Sequence, residues 1–423
     1  MGAAGVTLHY ATTTTTHAPP GAQPPREPER QEGALRISVA ADELIVDDGE
    51  SVARFDFAAR RRTILDTKTR TTRESSLLAH VQDREVGMAS ALHVLEVMRA
   101  AGAIDEVAYW SVEAAYAMLW RGEGGDEEGL IIRDVTDDGW CWRVGERELT
   151  RVRVGDERPP SPSRALLRLM EYGLRVHPTI AAQVAELGVI PAVLTSDDHF
   201  VLQHRVRRLE LTRLVPEALD FAALTAGCEP EPPADEALAL LRRSPDEPSD
   251  FRLDDAREAL GRGARVEALL AVFAHNWAFV ANTGELVAEI FKRAGWFSPV
   301  KRILKLVSRA SSEGEVEKQL TGLEKLRAKA GRYDYALDVL LGEKLVERDA
   351  IAEANAAFAS ALRRDPGLAA TWVSLGRTYT AQRRYADGWD CFERADQLCP
   401  QHPVVGDIHK LDAGLRARHG YLF

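Results

Sequence analysis

Beyond residue 257 the apolar pattern is helical throughout, and the helix starts recur at one interval. They fall near 264, 298, 333, 368 and 403, about 34 to 35 residues apart. A fixed period in that range signals stacked helical hairpins, because a single hairpin exposes an apolar face that only a neighbour can cover. Residues 257–423 therefore read as an all-α repeat domain. Val404, Ile408, Leu411 and Leu415 form one apolar stripe on a helix with a basic outer face, as a terminal capping helix should.

The first half follows a different rule. Residues 1–33 are rich in Thr, Pro, Gly and charge, and they are expected to be a disordered tail. From Leu35 the period becomes two: LRISV, ELIV, VARFDF, RTILDT and TKTRTT are short runs separated by DDGE and AARR. A helix is expected over 84–101 with Gly102 as its C-cap, and another over 106–120. LIIRDV and WCWRV form a hairpin through Thr136–Gly139, and LTRVRV pairs next. Helices follow near 163–175 and 178–187, the second with Pro178 in its first turn and Gly188 at its end. A last hairpin, IPAVL-TSDD-HFVLQHRV, leads into RRLELTRLV. Residues 34–225 are thus an α+β domain, an antiparallel meander with helices packed on one face. Residues 226–256 hold five prolines and many acids around one short helix, and read as an acidic linker.

Composition narrows the function classes. The chain has 423 residues, enough for two domains, and a formal net charge of -11, so no overall basic excess exists to hold nucleic acid. No apolar run is long enough for a transmembrane helix. The N-terminus lacks the apolar core of a signal peptide, which places the chain as given in the cytoplasm. The alternative is the periplasm or cell envelope, if a leader has been removed. Cys141, Cys228, Cys391 and Cys399 show no CxxC spacing, so neither a zinc site nor a disulfide is expected.

Candidate chemistry is sparse. Asp197, Asp198, His199 and His204 are types that can bind metal or move protons, but the two aspartates suit a hairpin turn. The histidines, five apart, would fall on opposite faces of one regular strand. GEGGDEEG at 122–129 lacks the Gly-Lys-Ser/Thr ending of a phosphate loop, and its acids repel phosphate. Arg60, Arg61, Arg62, Lys68, Arg70 and Arg73 form a basic patch without aromatic residues for base stacking, which reads as a solvated hairpin face. His275 sits in a helix apolar almost all round, and Trp140 and Trp142 share a strand face. No catalytic residue, metal or cofactor is assigned, and the chain reads as a non-enzyme.

One stretch carries a family pattern. In TWVSLGRTYTAQRRYADGWDCFERADQLCP, Trp372, Leu375, Gly376, Tyr379, Tyr385, Phe392, Ala395 and Pro400 stand where the tetratricopeptide repeat family prefers them. The preceding unit matches through Leu341, Gly342, Leu345, Ala354, Phe358, Ala361 and Pro366. The chain resembles that family strongly over about 335–400 and weakly over 264–334, with Arg383 and Gly388 as departures. The resemblance implies a concave groove presenting Ala336, Val339, Glu343, Val346, Glu347, Val373, Arg377 and Thr380 to a partner segment. Family members that clamp acidic tails use Lys and Asn where this chain has Val339, Leu340, Val373 and Ser374, so that clamp is absent. The first half resembles, in architecture only, the lipoprotein-carrier half-barrel of bacterial envelope proteins, which implies a cradle for an apolar or lipid ligand. The expected function is a protein–protein scaffold or adaptor, with an envelope carrier as the alternative and self-association open to either.

Overall fold

The structure is a computed structural model that describes residues 5–17, 27–102, 131–144, 146–155, 163–174, 176–200, 203–241, 252–280, 282–294 and 299–419. The chain divides into two units, residues 1–231 with 415–423 and residues 232–414. Among the described residues no helix is long and apolar enough to cross a membrane.

The first unit is built on one sheet. Its strands are β1 (Val6–His17), β2 (Glu29–Val39), β3 (Glu43–Asp47), β4 (Ser51–Asp56), β5 (Arg61–Asp66) and β6 (Thr71–Ser76). They continue with β7 (Ile131–Thr136), β8 (Gly139–Val144), β9 (Arg147–Val154), β10 (Pro191–Phe200), β11 (Gln203–Val215) and β12 (Glu229–Pro230). The spatial order is β12-β6-β5-β4-β3-β2-β1-β11-β10-β9-β8-β7. Every pair is antiparallel except β12 on β6.

The first two strands overturn the expectation of a disordered tail for residues 6–17 and 29–33, while residues 1–4 and 18–26 of that tail lie outside the described ones. β1 lies in the interior of the sheet, paired with β2 on one side and β11 on the other. Val6, Leu8 and Tyr10 alternate into the core and are almost fully buried. The threonines that follow are β-branched, and their restricted side chains favour the extended backbone that a low-complexity reading treats as disorder. The last hairpin differs too. Asp197 and Asp198 lie within β10, opposite Val206 and Arg205, and the reversal comes after Phe200. TSDD contains neither Gly nor Pro to force an earlier turn. His199 and His204 are therefore on two strands, directly opposite each other, and not on one.

Helices cover the sheet where its apolar residues point. α1 (Leu77–Ala100) is followed by Gly102 at φ 66°, the left-handed conformation expected of its cap. The expected helix over 106–120 lies outside the described residues. α2 (Ser163–Arg168) runs into a π-helical turn, Leu169–Gly173, where Tyr172 packs on Phe55 of β4 and on His80 of α1. Gly173 meets Ile37 of β2 so closely that an added methyl would come within 2.9 Å of its Cδ1. α3 (Pro178–Leu187) is capped by His177 Nδ1, which accepts from Thr179 N, and ends at Gly188 with φ 65°. Its Gln183 accepts a 2.7 Å hydrogen bond from Trp142 Nε1.

The other face is not bare, contrary to expectation. Ile45, Val52 and Leu65 are buried there beneath Leu219, Phe221, Leu224 and Cys228, around the short helix α4 (Phe221–Thr225). The segment 226–256, expected as linker, is partly structured. It supplies β12, the helix α5 (Glu236–Leu241) and the start of α6 (Arg252–Gly261), while residues 242–251 lie outside the described ones.

The second unit is helical. α7 (Arg265–Ala278), α8 (Gly284–Ala294), α9 (Pro299–Val307) and α10 (Glu313–Glu324) precede α11 (Tyr335–Glu347) and α12 (Ile351–Arg364). α13 (Ala369–Ala381), α14 (Tyr385–Leu398) and α15 (Pro403–Arg418) complete the series. α7, α9, α11, α13 and α15 begin within two residues of the starts read from the sequence. From α11 to α15 the interval is 34 residues at each step.

Glu171, in the π-helical turn, is the most consequential buried acid of the sheet unit. It is 3% exposed and its Oε2 has no hydrogen-bond partner. Burial pushes its carboxyl up to about 8, against a smaller opposing pull from Arg84. A carboxyl raised this way folds protonated, so its contribution is intact below the unfolded value near 4.5 and is lost as pH rises towards 8. Glu171→Gln should leave the urea midpoint of the sheet unit unchanged near pH 4. At pH 8 and above it should raise stability by up to about 4 to 5 kcal/mol. Equal pH slopes for variant and wild type would disprove this assignment.

Candidate partner-binding surface

The repeated helices pack through small residues at fixed positions. Gly342 in α11 and Gly376 in α13 each face a phenylalanine of the following helix, Phe358 and Phe392, and a methyl group at either glycine would overlap the ring. Asp349 and Arg383, again 34 apart, occupy equivalent turns at φ 60° and 61°. That left-handed conformation explains why a small residue is favoured at the place Arg383 takes. Trp372 Nε1 donates to Pro366 O at 2.9 Å and fixes the entry of α13.

The expected groove is in part filled by the chain itself. α7 packs on α9, α11 and α13, whereas a helix in a simple stack touches only its neighbours. Its first turn brings Glu267 against Gly331, before α11. Its last turn offers Asn276 O to His402 Nε2 at 2.8 Å, at the start of α15. With 14 residues it rises about 21 Å, and so runs along the stack across successive hairpins. Nine of its residues are buried, which accounts for its apolarity all round. His275 is one of them, its ring tilted against that of Phe279 with centroids 5.2 Å apart.

The groove residues therefore separate into two sets. Val339 and Val373 are each 1% exposed and belong to the core, as does Ala336. Glu343 is half-buried, and burial holds its carboxyl above the usual range. Val346 is 39% exposed. Glu347 accepts from Lys344 Nζ at 2.7 Å, while Arg377 lies 3.7 Å from Asp407 of α15. Thr380 Oγ1 donates to Gly376 O. Val346, Glu347 and Arg377 are what remains open.

Two contacts outside the groove hold the unit together. Arg252 of α6, 1% exposed, donates through Nε and Nη2 to the carboxylate of Asp365, which also accepts from Tyr335 Oη at 2.9 Å. α5 packs on α12 and α14, tied down by Asp235, which accepts from Tyr379 Oη at 2.8 Å and Arg384 Nη1 at 3.1 Å. Neither contact is visible from local patterns, because each pairs residues more than 100 positions apart.

The remaining candidates are placed as follows. Trp142 is fully buried. Arg60 and Arg70 sit in turns at positive φ, Arg61 pairs with Glu74, Lys68 with Glu50, and Arg70 donates to Ala226 O, so much of the basic patch is neutralised locally. The loop 122–129 lies outside the described residues. All four cysteines are free. No protein-family model matches the chain, and no curated protein matches it.

Two measurements check this packing. Val373→Glu should unfold or strongly destabilise the helical unit, while Val346→Glu should shift its stability by no more than about 0.5 kcal/mol. Arg252→Ala, which strands Asp365, should cost about 3 to 5 kcal/mol in chemical denaturation.

Proposed function

We propose that the chain is a non-enzymatic interaction protein whose helical unit belongs with the tetratricopeptide repeats and docks a partner segment. The observation that carries this reading is the exact 34-residue recurrence of helices, glycine–phenylalanine contacts and left-handed turns from α11 to α15. Such a stack presents the first helix of each hairpin on one side. Because Val339 and Val373 are buried and α7 packs on the helices that carry them, the docking surface is narrower than the family resemblance implies, and centres on Val346, Glu347 and Arg377. Its mixed charge with one exposed valine suits an amphipathic segment. Immobilised wild-type chain and the Val346→Glu/Arg377→Glu variant should recover different proteins from native extract, with a partner lost in the variant. Identical recovery by two equally stable proteins would refute the proposal.

A second reading, that of an apolar-ligand carrier, is favoured by the sheet unit. Two meanders, β1–β6 and β7–β11, meet at the β1–β11 pair, and Phe55, His80 and Tyr172 bring α1 and the π-helical turn together over one face. That arrangement is similar to the lipoprotein-carrier half-barrel. Saturable binding of a fluorescent fatty-acid analogue, displaced by unlabelled palmitate, is the expected result. Absence of saturable binding would exclude it.

A further inference from the structure

One stretch of the helical unit reverses the charge of the chain. From Ile290 to Ser312 there are six basic residues, Lys292, Arg293, Lys301, Arg302, Lys305 and Arg309, and no acid, whereas the whole chain has a net charge of -11. α9 is anchored through one side. Val300, Ile303 and Leu306 are buried. Gln319 Nε2 donates to Lys305 O and Ser308 O, and Lys344 Nζ donates to Ser308 O at 2.6 Å, which satisfies carbonyls at the end of the helix. At about 3.6 residues per turn, the opposite side carries Lys301, Arg302, Leu304 and Lys305. Arg302 and Lys305 are exposed, and Leu304 is 48% exposed.

Helix electrostatics accounts for only part of this set. Lys292, Arg293 and Lys305 stand in last turns, where the helix dipole favours cations. Lys301 and Arg302 stand at the start of α9, where the same dipole opposes them and the first turn holds no acid. Arg293 pairs with Glu289. Among the described residues, none forms an ion pair with Lys292, Arg302, Lys305 or Arg309. Two acids stand near the end of α9, but Glu315 accepts from Ser311, and Glu347 from Ala310 N and Lys344 Nζ. The cations are thus left for an outside anion. Cations around an exposed leucine are the make-up of a helix that lies on anionic lipid, where basic side chains meet headgroup phosphates and the leucine meets the acyl boundary.

We propose that α9, with the end of α8, is a peripheral docking face for membranes rich in anionic lipid. The nine residues of α9 rise about 14 Å, too little to cross a bilayer, so the helix lies along the headgroups. It stays attached to α10 and α11 through Gln319 and Lys344. An acidic chain is repelled by such a surface elsewhere, which turns this face towards it. The contact uses none of Val346, Glu347 and Arg377 and is independent of the partner surface.

The full chain should co-sediment with phosphatidylglycerol–phosphatidylcholine vesicles in low salt and stay in solution with phosphatidylcholine alone. High salt should release it. Arg302→Gln/Lys305→Gln/Arg309→Gln should weaken vesicle binding about a hundredfold, at about fivefold per charge removed. Arg30→Gln/Lys68→Gln/Arg257→Gln, which removes as much charge at exposed positions elsewhere, should bind as wild type does. Absence of vesicle binding, equal weakening by the two triple variants, or capture of soluble polyglutamate in place of vesicles overturns the proposal. Matching thermal melts establish that any loss is local, and Lys305→Gln alone, read for its fivefold effect, carries the test if the triple variant does not fold.

Discussion

Strand β1 is the seam on which the sheet unit depends. It pairs with β2 from Val6 to Thr16 and with β11 from Thr7 to His17. Remove it and the sheet falls into two meanders, β2–β6 and β7–β11, each with a newly exposed edge of unpaired N–H and C=O groups. Leu8 and Tyr10, almost fully buried, tie the seam to the core, and Tyr10 Oη donates to Pro191 O across the sheet. Thr7 Oγ1 donates to Glu217 O at 2.6 Å and fixes the chain leaving β11. The two sheet ends differ in kind. On one side β12 adds a two-residue parallel strand ending in Pro230, which cannot donate to a further neighbour. On the other, β7 carries Ile132 and Val135 at 48% and 80% exposure.

What could be read from the sequence is what local periodicity controls. The meander strands, the bounds of α3, its Pro and Gly punctuation, and the starts of α7, α9, α11, α13 and α15 all follow from residues within one or two turns of one another. The 34-residue recurrence is local as well, since each hairpin meets mainly its neighbour. The failures were non-local. β1 was hidden because a run of threonines is compositionally simple yet conformationally stiff, and nothing nearby shows that its partner lies at the far end of the domain.

The candidate surface shows the same division. The positions of Val339, Val373, Arg377 and Thr380 on first helices follow from the period. Which of them stay open depends on α7, whose all-round apolarity marked it as buried without showing what it would bury against. Its apolar residues could be fitted to the repeat register, so it looked like one more hairpin of the row. Packing on α9, α11 and α13 instead uses that apolarity on several sides at once. A helix buried on several sides leaves little of that surface open, and the proposed docking would fall on the more exposed positions beyond it.

The seam also has a consequence during synthesis. β1 leaves the ribosome well before its β11 partner, which lies about 190 to 210 residues later, from His17–His204 to Thr7–Val215. At typical elongation rates that delay is roughly 10 to 40 s. Throughout it, β1 can pair with β2 on one side only, and its threonine-rich far edge stays available to any passing strand. VTLHYATTTTTH is rich in β-branched residues, carries no Lys, Arg, Asp or Glu and has neither Pro nor Gly, the composition that makes an exposed strand edge prone to wrong pairing. The composition that disguised β1 as disorder thus also leaves the nascent chain vulnerable until its distant mate arrives.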